Sequence, residues 1–367
     1  MLPELLPSRS APAWAPALRA WYRRHRRAMP WRGTRDPYRV WVSEVMLQQT
    51  QVTTATPFYQ RFIERFPTLA SLARAGEPAV LAAWSGLGYY RRARHLRDAA
   101  RIVVREHGGR VPDDPQAFGE LPGVGRYTTG AVLSICFDRP LAVLDGNVAR
   151  VLSRVHALRE NVKTSRGARA LWAVADALVP MRDPGDWNQA LMELGAVVCT
   201  PRAPRCAACP LRTHCRARAL GRVDEFPAPT PRRARVVVRR AVAWIERRGR
   251  LLVARRRGRL LDGLWEPPGV DLARGTNARA ALAAELRRLG VRARLSPTDC
   301  RVRHTITHRD VVVEVWRGGA SAAARSAGLA WIDPDRPAVA ITALARKAIA
   351  ALGAGVSPTQ GRGRIGR

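Results

Sequence analysis

Four of the chain's six cysteines lie within one short, proline-broken segment, "CTPRAPRCAACPLRTHC", and could together bind a metal. The segment runs from Cys199 to Cys215 with the spacing C-x6-C-x2-C-x5-C. In a reducing compartment, clustered cysteines bind metal more often than they form disulfides. Zinc sites usually pair cysteines as C-x2-4-C, and here only Cys206 and Cys209 have that spacing. The pattern therefore favours an iron–sulfur cluster and leaves zinc as the alternative.

Two acidic residues, Glu44 and Asp145, lie in contexts that could make one an acid and the other an anion. Glu44 lies within "YRVWVSEVMLQ". It either faces solvent on an amphipathic helix or is partly buried with a raised pKa. Asp145 directly precedes the helical pattern "GNVARVLSR", where backbone donors and the helix dipole favour a charged N-cap. Two carboxyl groups whose pKa values are pushed apart can divide into a general acid and a stabilising anion.

The segment "LPGVGRYTTGAVL" (Leu121–Leu133) predicts a helix end, a tight glycine-containing turn and a new helix. The N–H groups of such a turn can bind a phosphate at the helix N-terminus without side-chain charge. The formal net charge is +34, from 63 basic and 29 acidic residues. An excess of this size indicates a polyanionic partner, most simply nucleic acid.

The elements that must position these residues divide the chain in two. Helical patterns fill residues 36 to about 220, and the Asp-Pro starts at Asp36 and Asp114 are typical of helix N-termini. We expect the first of these helices to break near Pro57. Because strand signals are absent from this half, it is predicted to be all-α.

Beyond the helical half, "GRVDEFPAPTPRRARVVVRR" marks a linker at 222–235. The runs "VVVRRAVAWIE", "RLLVARR" and "RDVVVEVW", with the helical "ARAALAAELRRLG" between them, predict an α+β domain at 236–352. The basic tail, 353–367, is predicted to be disordered. No apolar run approaches the roughly 20 residues that span a bilayer, and no secretory signal is visible. We therefore expect a cytoplasmic protein with no membrane partner.

The turn, the aspartate that follows it and the four-cysteine segment resemble the helix-hairpin-helix DNA glycosylases that carry a 4Fe–4S cluster. Within that superfamily, "SEVMLQQTQV" (Ser43–Val52), "GLGYYRRAR" (Gly86–Arg94) and "LDGNVARVL" (Leu144–Leu152) resemble the adenine DNA glycosylases. The resemblance is strong over residues 20–220 and weaker over 235–350. It implies a bacterial monomer that removes adenine from A:8-oxoguanine or A:G mispairs in double-stranded DNA during base-excision repair.

The resemblance also implies the fold: an all-α helix-hairpin-helix glycosylase domain with a 4Fe–4S cluster loop, followed by an α+β Nudix-like domain. The glycosylase domain would span 1–221, with the helix-hairpin-helix at about 115–133 and the cluster loop at 199–215. In the second domain "GLWEPPG" (Gly263–Gly269) is similar to Nudix-like domains. Its helix offers only Glu285, and a single carboxylate cannot build the Nudix metal site. The domain is therefore predicted to recognise DNA and not to be a second enzyme.

By the same resemblance, Glu44 protonates adenine and Asp145 stabilises the sugar cation, and Asn147 is counted with the catalytic residues. Tyr127 occupies the position where endonuclease III-like enzymes place a lysine that forms a Schiff base with the sugar. It therefore implies a monofunctional hydrolase. The 4Fe–4S cluster would be bound by Cys199, Cys206, Cys209 and Cys215. The alternatives are an endonuclease III-like pyrimidine glycosylase/lyase, a zinc-dependent DNA-binding protein and an active Nudix pyrophosphatase.

The resemblance also implies which residues contact DNA and which contact the flipped base. DNA contacts are predicted for Gln48, Gln49, Leu87, Tyr89, Gly123, Val124, Gly125, Thr307 and His308. The adenine pocket is predicted to contain Trp31, Arg32 and Leu47. Lesion reading is assigned to the polar loop "RHTITHRD" (Arg303–Asp310), where the family has Phe-Ser-His and this chain has Ile306, Thr307 and His308. Threonine keeps the hydroxyl group for a hydrogen bond, whereas isoleucine cannot stack as an aromatic ring would.

Overall fold

The computed structural model describes residues 11–228, 234–258, 261–306, 308–320 and 328–353. Thr307, part of the predicted linker and the tail from 354 onwards lie outside the described residues. The described residues form two compact units. One holds those up to Ala75 and from Arg94 to 228, and the other holds Gly76–Ala93 and those after 233. The sequence-based boundaries keep 76–93 with the helical domain, and they stay a prediction.

Helices make up the regular structure of residues 11–228, and no strand occurs in that described range. In chain order they are α1 (Ala15–His25), α2 (Pro37–Leu47), α3 (Val52–Arg65), α4 (Leu69–Arg74), α5 (Glu77–Ala83), α6 (Arg91–Glu106), α7 (Pro115–Gly119), α8 (Arg126–Phe137), α9 (Gly146–His156), α10 (Ser165–Leu178), α11 (Pro184–Val197) and α12 (Arg216–Ala219). The all-α prediction is thereby confirmed. Among the described residues, none of the helices is both long and apolar enough to cross a membrane.

The N-termini of α2 and α7 form as the Asp-Pro dipeptides predict. The Asp36 carboxylate accepts hydrogen bonds from the N–H groups of Tyr38 and Arg39, at 2.9 and 3.3 Å. Asp114 accepts one from Ala117, at 2.8 Å. These bonds satisfy donors that the first helical turn leaves without partners.

The predicted break near Pro57 is wrong, because the chain turns earlier. Helix α2 ends at Leu47, Gln49 has a left-handed backbone with φ of 57°, and α3 then passes through Pro57. A proline removes one helical hydrogen bond. The helix continues past it because the side chains that follow, such as Phe62, are buried.

One apolar core holds the first unit around α9 and α11. Its members include Trp14 and Trp187, whose rings stack with centroids 5.0 Å apart, and Leu152 and Leu194 at the centre. Burying each large apolar side chain contributes about 1.5–3 kcal/mol. This packing fixes the N-terminus of α9, where Asp145 lies.

The second unit carries a sheet with a helix on each face, which confirms the predicted α+β class. Besides α5, its elements are β1 (Val236–Arg247), β2 (Arg250–Arg255), β3 (Trp265–Glu266), β4 (Gly269–Leu272), α13 (Ala278–Arg288), β5 (Ala293–Ile306), β6 (Arg309–Ala320), β7 (Leu329–Ile332) and α14 (Ala343–Gly353). Within the described residues the sheet order is β3-β2-β1-β6-β5, with β4 paired to β1 and β7 to β2. Strands β1 and β6 are parallel, and β5 and β6 are antiparallel.

Strand β1 shows the period-2 alternation that places side chains on both faces of a sheet. Ala241 and Ala243 pack in the cluster that contains Leu282 and Leu286 of α13. Val242 and Trp244 pack in the opposite cluster, which contains residues of α14. The predicted loop at Arg303–Asp310 is shorter than expected, because residues 303–306 still pair with β6 as the end of β5.

Candidate active site

A cavity of about 640 Å³ in the helical unit holds the predicted catalytic residues. The predicted residues that line it are Trp31, Arg32, Glu44, Leu47, Gln48, Gln49, Tyr127, Asp145 and Asn147. They come from the segment before α2, from α2, from the turn that follows it, from α8 and from α9, and the outermost two, Trp31 and Asn147, are 116 positions apart in the sequence. The fold therefore gathers groups that the sequence could only place on different elements.

Glu44 lies on α2 and is buried, with 5% of its surface exposed. Of the two alternatives for this residue, the structure shows the buried one. The Tyr127 hydroxyl donates a hydrogen bond to Glu44 Oε2 at 2.7 Å. Burial raises the pKa of Glu44 to about 7; Asp145 adds to the rise, and the bond from Tyr127 opposes it. At neutral pH the carboxyl group is therefore divided between its protonated and ionised forms, as a general acid requires.

Asp145 is the N-cap of α9, as the sequence predicts. Its Oδ1 accepts hydrogen bonds from the backbone N–H groups of Asn147 and Val148, at 2.9 and 2.7 Å. Its Oδ2 accepts one from Asn147 Nδ2 at 3.0 Å. Three N–H donors directed at the two oxygens match a carboxylate anion.

The pKa of Asp145 corrects one expectation. Burial is the largest influence and raises this pKa, whereas the hydrogen bonds and the charge of Arg150 lower it. The sequence suggested only the lowering influences, because an N-cap is usually close to solvent. Here the cap forms part of a cavity wall, so burial prevails and the pKa of Asp145 lies above its ordinary value, although the three N–H donors oppose the rise.

Arg150 connects Asp145, the predicted catalytic aspartate, to the cysteine segment, and sequence reasoning missed it. Its Nη2 donates to Asn147 Oδ1 at 2.9 Å and to the carbonyl oxygen of Gly195 at 2.8 Å. Its Nε donates to the carbonyl oxygen of Cys199 at 2.7 Å. A continuous series of hydrogen bonds therefore runs from Cys199 through Arg150 and Asn147 to Asp145. The available signal was the i,i+3 spacing of Asn147 and Arg150 on one helix.

Glu193 holds the part of the cavity wall near Arg32, and it is a second residue that the sequence did not reveal. Glu193 is 1% exposed and accepts hydrogen bonds from Arg27 Nε at 2.6 Å and Arg32 Nη2 at 3.0 Å. The two guanidinium groups lower the pKa of Glu193 despite its burial. Trp31 packs edge-on against Tyr59, with ring centroids 5.1 Å apart. Both predicted pocket residues are thus held by neighbours.

The predicted DNA-contact residues have different surroundings. Gln48 Nε2 donates to Thr128 Oγ1 at 3.2 Å. Gln49 and Tyr89 both have positive φ, at 57° and 50°, and such strain in residues other than glycine is often found at functional positions. Tyr89 is 46% exposed, whereas Leu87 is buried with 6% exposed. In this structure the tyrosine is therefore the more accessible of the two.

The turn before α8 is tight and requires glycine, as the sequence predicts. Gly123 has φ of 78°, and a Cβ atom there would lie 2.7 Å from His95 Cβ, so only glycine fits. Val124 is buried beneath the turn. Gly125 is the N-cap of α8 and provides no side-chain hydrogen bond, so no side chain of the cap competes for the first-turn N–H groups. The predicted turn is confirmed, and its role toward phosphate stays a prediction.

The four cysteines of the segment line one small cavity of about 20 Å³, and none of them forms a disulfide. Burial raises the pKa of Cys209 to about 11, and the proximity of the other three thiols adds to the rise. Within the described residues no three Cys, His, Asp or Glu side chains are arranged to hold a metal ion. A tetrahedral zinc ion needs all its sulfurs at about 2.3 Å, whereas a cluster with several irons spreads its cysteine ligands further apart. That these four cysteines bind an iron–sulfur cluster stays a prediction.

Arg154 borders the cysteine cavity. Its Nη1 donates to Cys199 Sγ at 3.4 Å and to the carbonyl oxygen of Thr200 at 2.7 Å, and its Nε donates to Phe226 O at 3.1 Å. Arg154 itself is buried, with 3% exposed. A buried guanidinium group needs a compensating negative charge. Thiolates, with a cluster whose net charge is negative, would supply one.

In the second unit, both oxygens of Glu285 are occupied by the guanidinium group of Arg288, at 2.8 and 2.7 Å. That this helix holds no Nudix metal stays a prediction. The ends of β5 and β6 are joined at Asp310, which accepts hydrogen bonds from Thr305 Oγ1 at 2.9 Å and Arg235 Nη1 at 3.2 Å. The proposed lesion contact, Thr307, lies outside the described residues, and its role stays a prediction.

Comparison with known proteins agrees with both halves of the chain. Residues 42–176 match the family described as "HhH-GPD superfamily base excision DNA repair protein", and residues 241–351 match a NUDIX domain. The chain is 41% identical to the adenine DNA glycosylase of Rattus norvegicus over 323 residues, which cover 73% of this chain and 63% of the rat protein. It is 47% identical to the human adenine DNA glycosylase over 215 residues, which cover 56% of this chain and 39% of the human protein.

Among solved structures, the chain is similar to a thermostable thymine-DNA glycosylase, with 30% identity and a TM-score of 0.51. That match covers 55% of this chain and 94% of the other. The chain spans 63% of the length of the rat adenine DNA glycosylase and 39% of the length of the human one.

Proposed function

Because the chain belongs to the HhH-GPD superfamily of base excision DNA repair proteins, we propose that it hydrolyses the N-glycosidic bond of adenine mispaired with 8-oxoguanine or guanine. One observation carries the proposal. A buried carboxyl group with a pKa of about 7, Glu44, lines the same cavity as a carboxylate held by three N–H donors, Asp145. A glycosidase needs this pair, because the leaving group must gain a proton and the sugar gains positive charge.

The target adenine must first leave the base stack, at a cost of a few kcal/mol. The cavity of about 640 Å³ is large enough for a nucleoside and is bordered by Trp31 and Arg32. Because Arg32 is held by Glu193 and by the carbonyl oxygen of Arg27, it can act as a fixed donor in the adenine pocket. Leu47 would provide an apolar contact to the flipped base.

Glu44 would then donate its proton to adenine, at N7 as the family resemblance implies, and the N-glycosidic bond would break as the base becomes a neutral leaving group. Positive charge develops on the sugar, and the carboxylate of Asp145 would stabilise it, with transient covalent attachment as one form of that stabilisation. Glu44, now ionised, can accept a proton from the attacking water. Asn147 keeps Asp145 oriented through the bond to Oδ2.

Tyr127 would orient Glu44 and would not attack the sugar. Its hydroxyl donates to Glu44 and lies 3.3 Å from Met192 Sδ, and burial keeps its pKa well above its ordinary value. A tyrosine provides no amine for a Schiff base, which supports a monofunctional hydrolase. Borohydride added during turnover should trap no protein–DNA adduct, and strands should break only after alkali. A trapped adduct would contradict this assignment and favour a glycosylase/lyase.

The donor set favours a 4Fe–4S cluster bound by Cys199, Cys206, Cys209 and Cys215. When bound, such a cluster would crosslink the segment 199–215 and add negative charge beside Arg154. Replacing any one of the cysteines by alanine should lower soluble yield or DNA affinity more than the chemical rate. Elemental analysis of anaerobically purified protein should find iron and sulfide, and stoichiometric zinc without iron would contradict the assignment.

The partner would be double-stranded DNA, bound by a monomer in the bacterial cytoplasm. The turn Gly123–Gly125 would bind a phosphate, and Gln48, Gln49, Leu87 and Tyr89 would contact the strands around the extruded base. The domain at 236–352 would read the lesion through Thr307 and His308. Deleting residues 235–367 should reduce the preference for A:8-oxoguanine over A:G while base release survives. Unchanged discrimination would place lesion reading in the helical domain.

A further inference from the structure

Met192 lies in the candidate active site, and the proposed reaction gives it no role. It is part of α11, is partly exposed, and lines the same cavity as Glu44 and Tyr127. Its Sδ atom lies 3.3 Å from the Tyr127 hydroxyl oxygen, which is within hydrogen-bond distance for a sulfur acceptor. The same hydroxyl group donates to Glu44 Oε2 at 2.7 Å. One tyrosine therefore links a thioether to the predicted general acid.

The hydroxyl group of Tyr127 has one proton to donate, so Glu44 and Met192 are alternative acceptors for it. A thioether sulfur is a weak acceptor, and the shorter distance to Glu44 shows that the carboxyl group receives the proton. Oxidation converts the apolar thioether into a polar sulfoxide. The sulfoxide oxygen would be a much better acceptor than the sulfur, and it would compete with Glu44 for the hydroxyl group.

The sulfur is held in place, because α11 is anchored on both sides of Met192. Before it, Asn188 is 1% exposed and donates a hydrogen bond from Nδ2 to Ser134 Oγ at 2.9 Å. After it, the carboxylate of Glu193 is bound by two guanidinium groups. The side chain of Met192 also packs against the apolar core of the first unit. A sulfoxide would therefore form beside Tyr127.

The methionines among the described residues differ in their access to an oxidant, which decides how readily each is oxidised. Met46 is fully buried, with 0% exposed, and Met181 is 59% exposed. Met29 and Met192 are both partly exposed and both line the cavity of about 640 Å³. A small oxidant that enters the cavity can therefore reach Met192, and Met29 provides a matched control within the same cavity.

We propose that Met192 is a modification site, at which a hydroperoxide oxidises the thioether to a sulfoxide that draws the Tyr127 hydroxyl group away from Glu44. One peroxide oxygen forms a bond to the sulfur and the O–O bond breaks. The other oxygen takes the proton of the first and leaves as water or as an alcohol. The sulfur loses two electrons and the peroxide gains them, so no further reactant is needed. The inference rests on the proposed function only for its effect on the rate.

The modification should change the acidity of Glu44. Burial and the charge of Asp145 raise the pKa of Glu44, whereas the hydrogen bond from Tyr127 and the charge of Arg32 lower it. Glu193 of α11 also lines the cavity and is paired with Arg32. A sulfoxide that takes the hydroxyl group removes one of the two lowering influences. We therefore expect oxidation to raise the pKa of Glu44 further, by up to about one pH unit, which corresponds to one hydrogen bond.

The first experiment treats the full chain with hydrogen peroxide and follows each methionine by peptide mass spectrometry. Met181 is the reference for full access and Met46 the reference for burial. We expect the peptide with Met192 to gain one oxygen while the peptide with Met46 gains none. The proposal is overturned if Met192 stays reduced after Met181 has been fully converted.

The second experiment measures the pKa of Glu44 from the infrared band of its protonated carboxyl group, which is identified by its absence in Glu44→Gln. Peroxide should raise this pKa in the wild type and in Met29→Leu but not in Met192→Leu, where leucine keeps the apolar volume and has no sulfur. Oxidation elsewhere, including at the cysteines, is common to all three proteins and cancels in the comparison. Equal shifts in all three, or none in the wild type, would overturn the proposal.

The infrared measurement needs no DNA, so it stands apart from the proposed function, whose failure would appear as no base release by the untreated protein. With DNA, oxidation of Met192 should move the alkaline limb of the pH–rate profile to higher pH. A methionine sulfoxide reductase should move the limb back. A limb that does not respond, in protein whose Met192 is shown to be oxidised, would overturn the role of this site in the reaction.

Discussion

Replacing Glu44 by glutamine should abolish base release and at the same time stabilise the protein at high pH. The substitution keeps the volume and the acceptor for the Tyr127 hydroxyl but removes the ionisable group. In the fold the pKa of Glu44 rises from 4.5 to about 7. The pKa of Glu44 is higher in the folded than in the unfolded protein. The stability that Glu44 contributes is therefore fully present below its unfolded pKa and is lost as the pH rises through about 7.

The size of this effect follows from the shift. Each pKa unit corresponds to 1.36 kcal/mol, so ionising buried Glu44 well above pH 7 costs the folded state about 3 kcal/mol. Part of this cost is already present at pH 5.5, so between pH 5.5 and 8 the wild type should lose about 2 kcal/mol of unfolding free energy relative to Glu44→Gln. Folding of the two proteins should be compared by urea unfolding, followed by tryptophan fluorescence, at several pH values.

Glu64→Gln, at an exposed position of α3, is the control for the same chemical change. The reasoning is refuted if the wild type and Glu44→Gln lose stability in parallel over this range. It is also refuted if the purified Glu44→Gln protein still releases adenine at a substantial rate, since Glu44 would then not be the sole acid.

The other expectations concern the groups around Glu44 and Asp145. Tyr127→Phe removes a hydrogen bond that lowers the pKa of Glu44, so the alkaline limb of the pH–rate profile should move to higher pH; a limb at unchanged pH would argue against this coupling. Asp145→Asn keeps the N-cap and loses the charge, so single-turnover excision should fall by at least about 100-fold with little change in DNA affinity; normal turnover would remove the electrostatic role. Arg150→Ala breaks the bonds to Asn147 and Cys199, and should lower both the rate and the retention of iron, whereas loss of neither would show that Asp145 is held without it.

Local signals in the sequence were enough to predict several parts of the site. Asp145 follows an apolar run and precedes a helical pattern, and the structure makes it the N-cap of α9. The spacing of the four cysteines was enough to predict that they form one site, and in the structure they line one cavity. The tight turn at Gly123 was evident because glycine is required where φ is positive and space is short.

Other features depend on distant parts of the chain and left no local signal. The burial of Glu44 depends on α8, which places Tyr127 83 residues further along the chain. Glu193 lies on an apolar helix and has no local signal of its role, because the arginines that contact it, Arg27 and Arg32, are 166 and 161 residues away in the chain. The chain turns at Gln49 and not at the predicted Pro57, because nothing in the residue type of Gln49 marks its left-handed backbone.

The central claim is that Glu44 and Asp145 together remove adenine that faces a damaged guanine. The most direct test is single-turnover adenine release from a duplex with one defined A:8-oxoguanine pair, with the same duplex carrying A:T as control. The wild type should release adenine from the first duplex and leave the second intact, and Glu44→Gln should release none from either. Equal release from both duplexes, or release of a pyrimidine in place of adenine, would contradict the account.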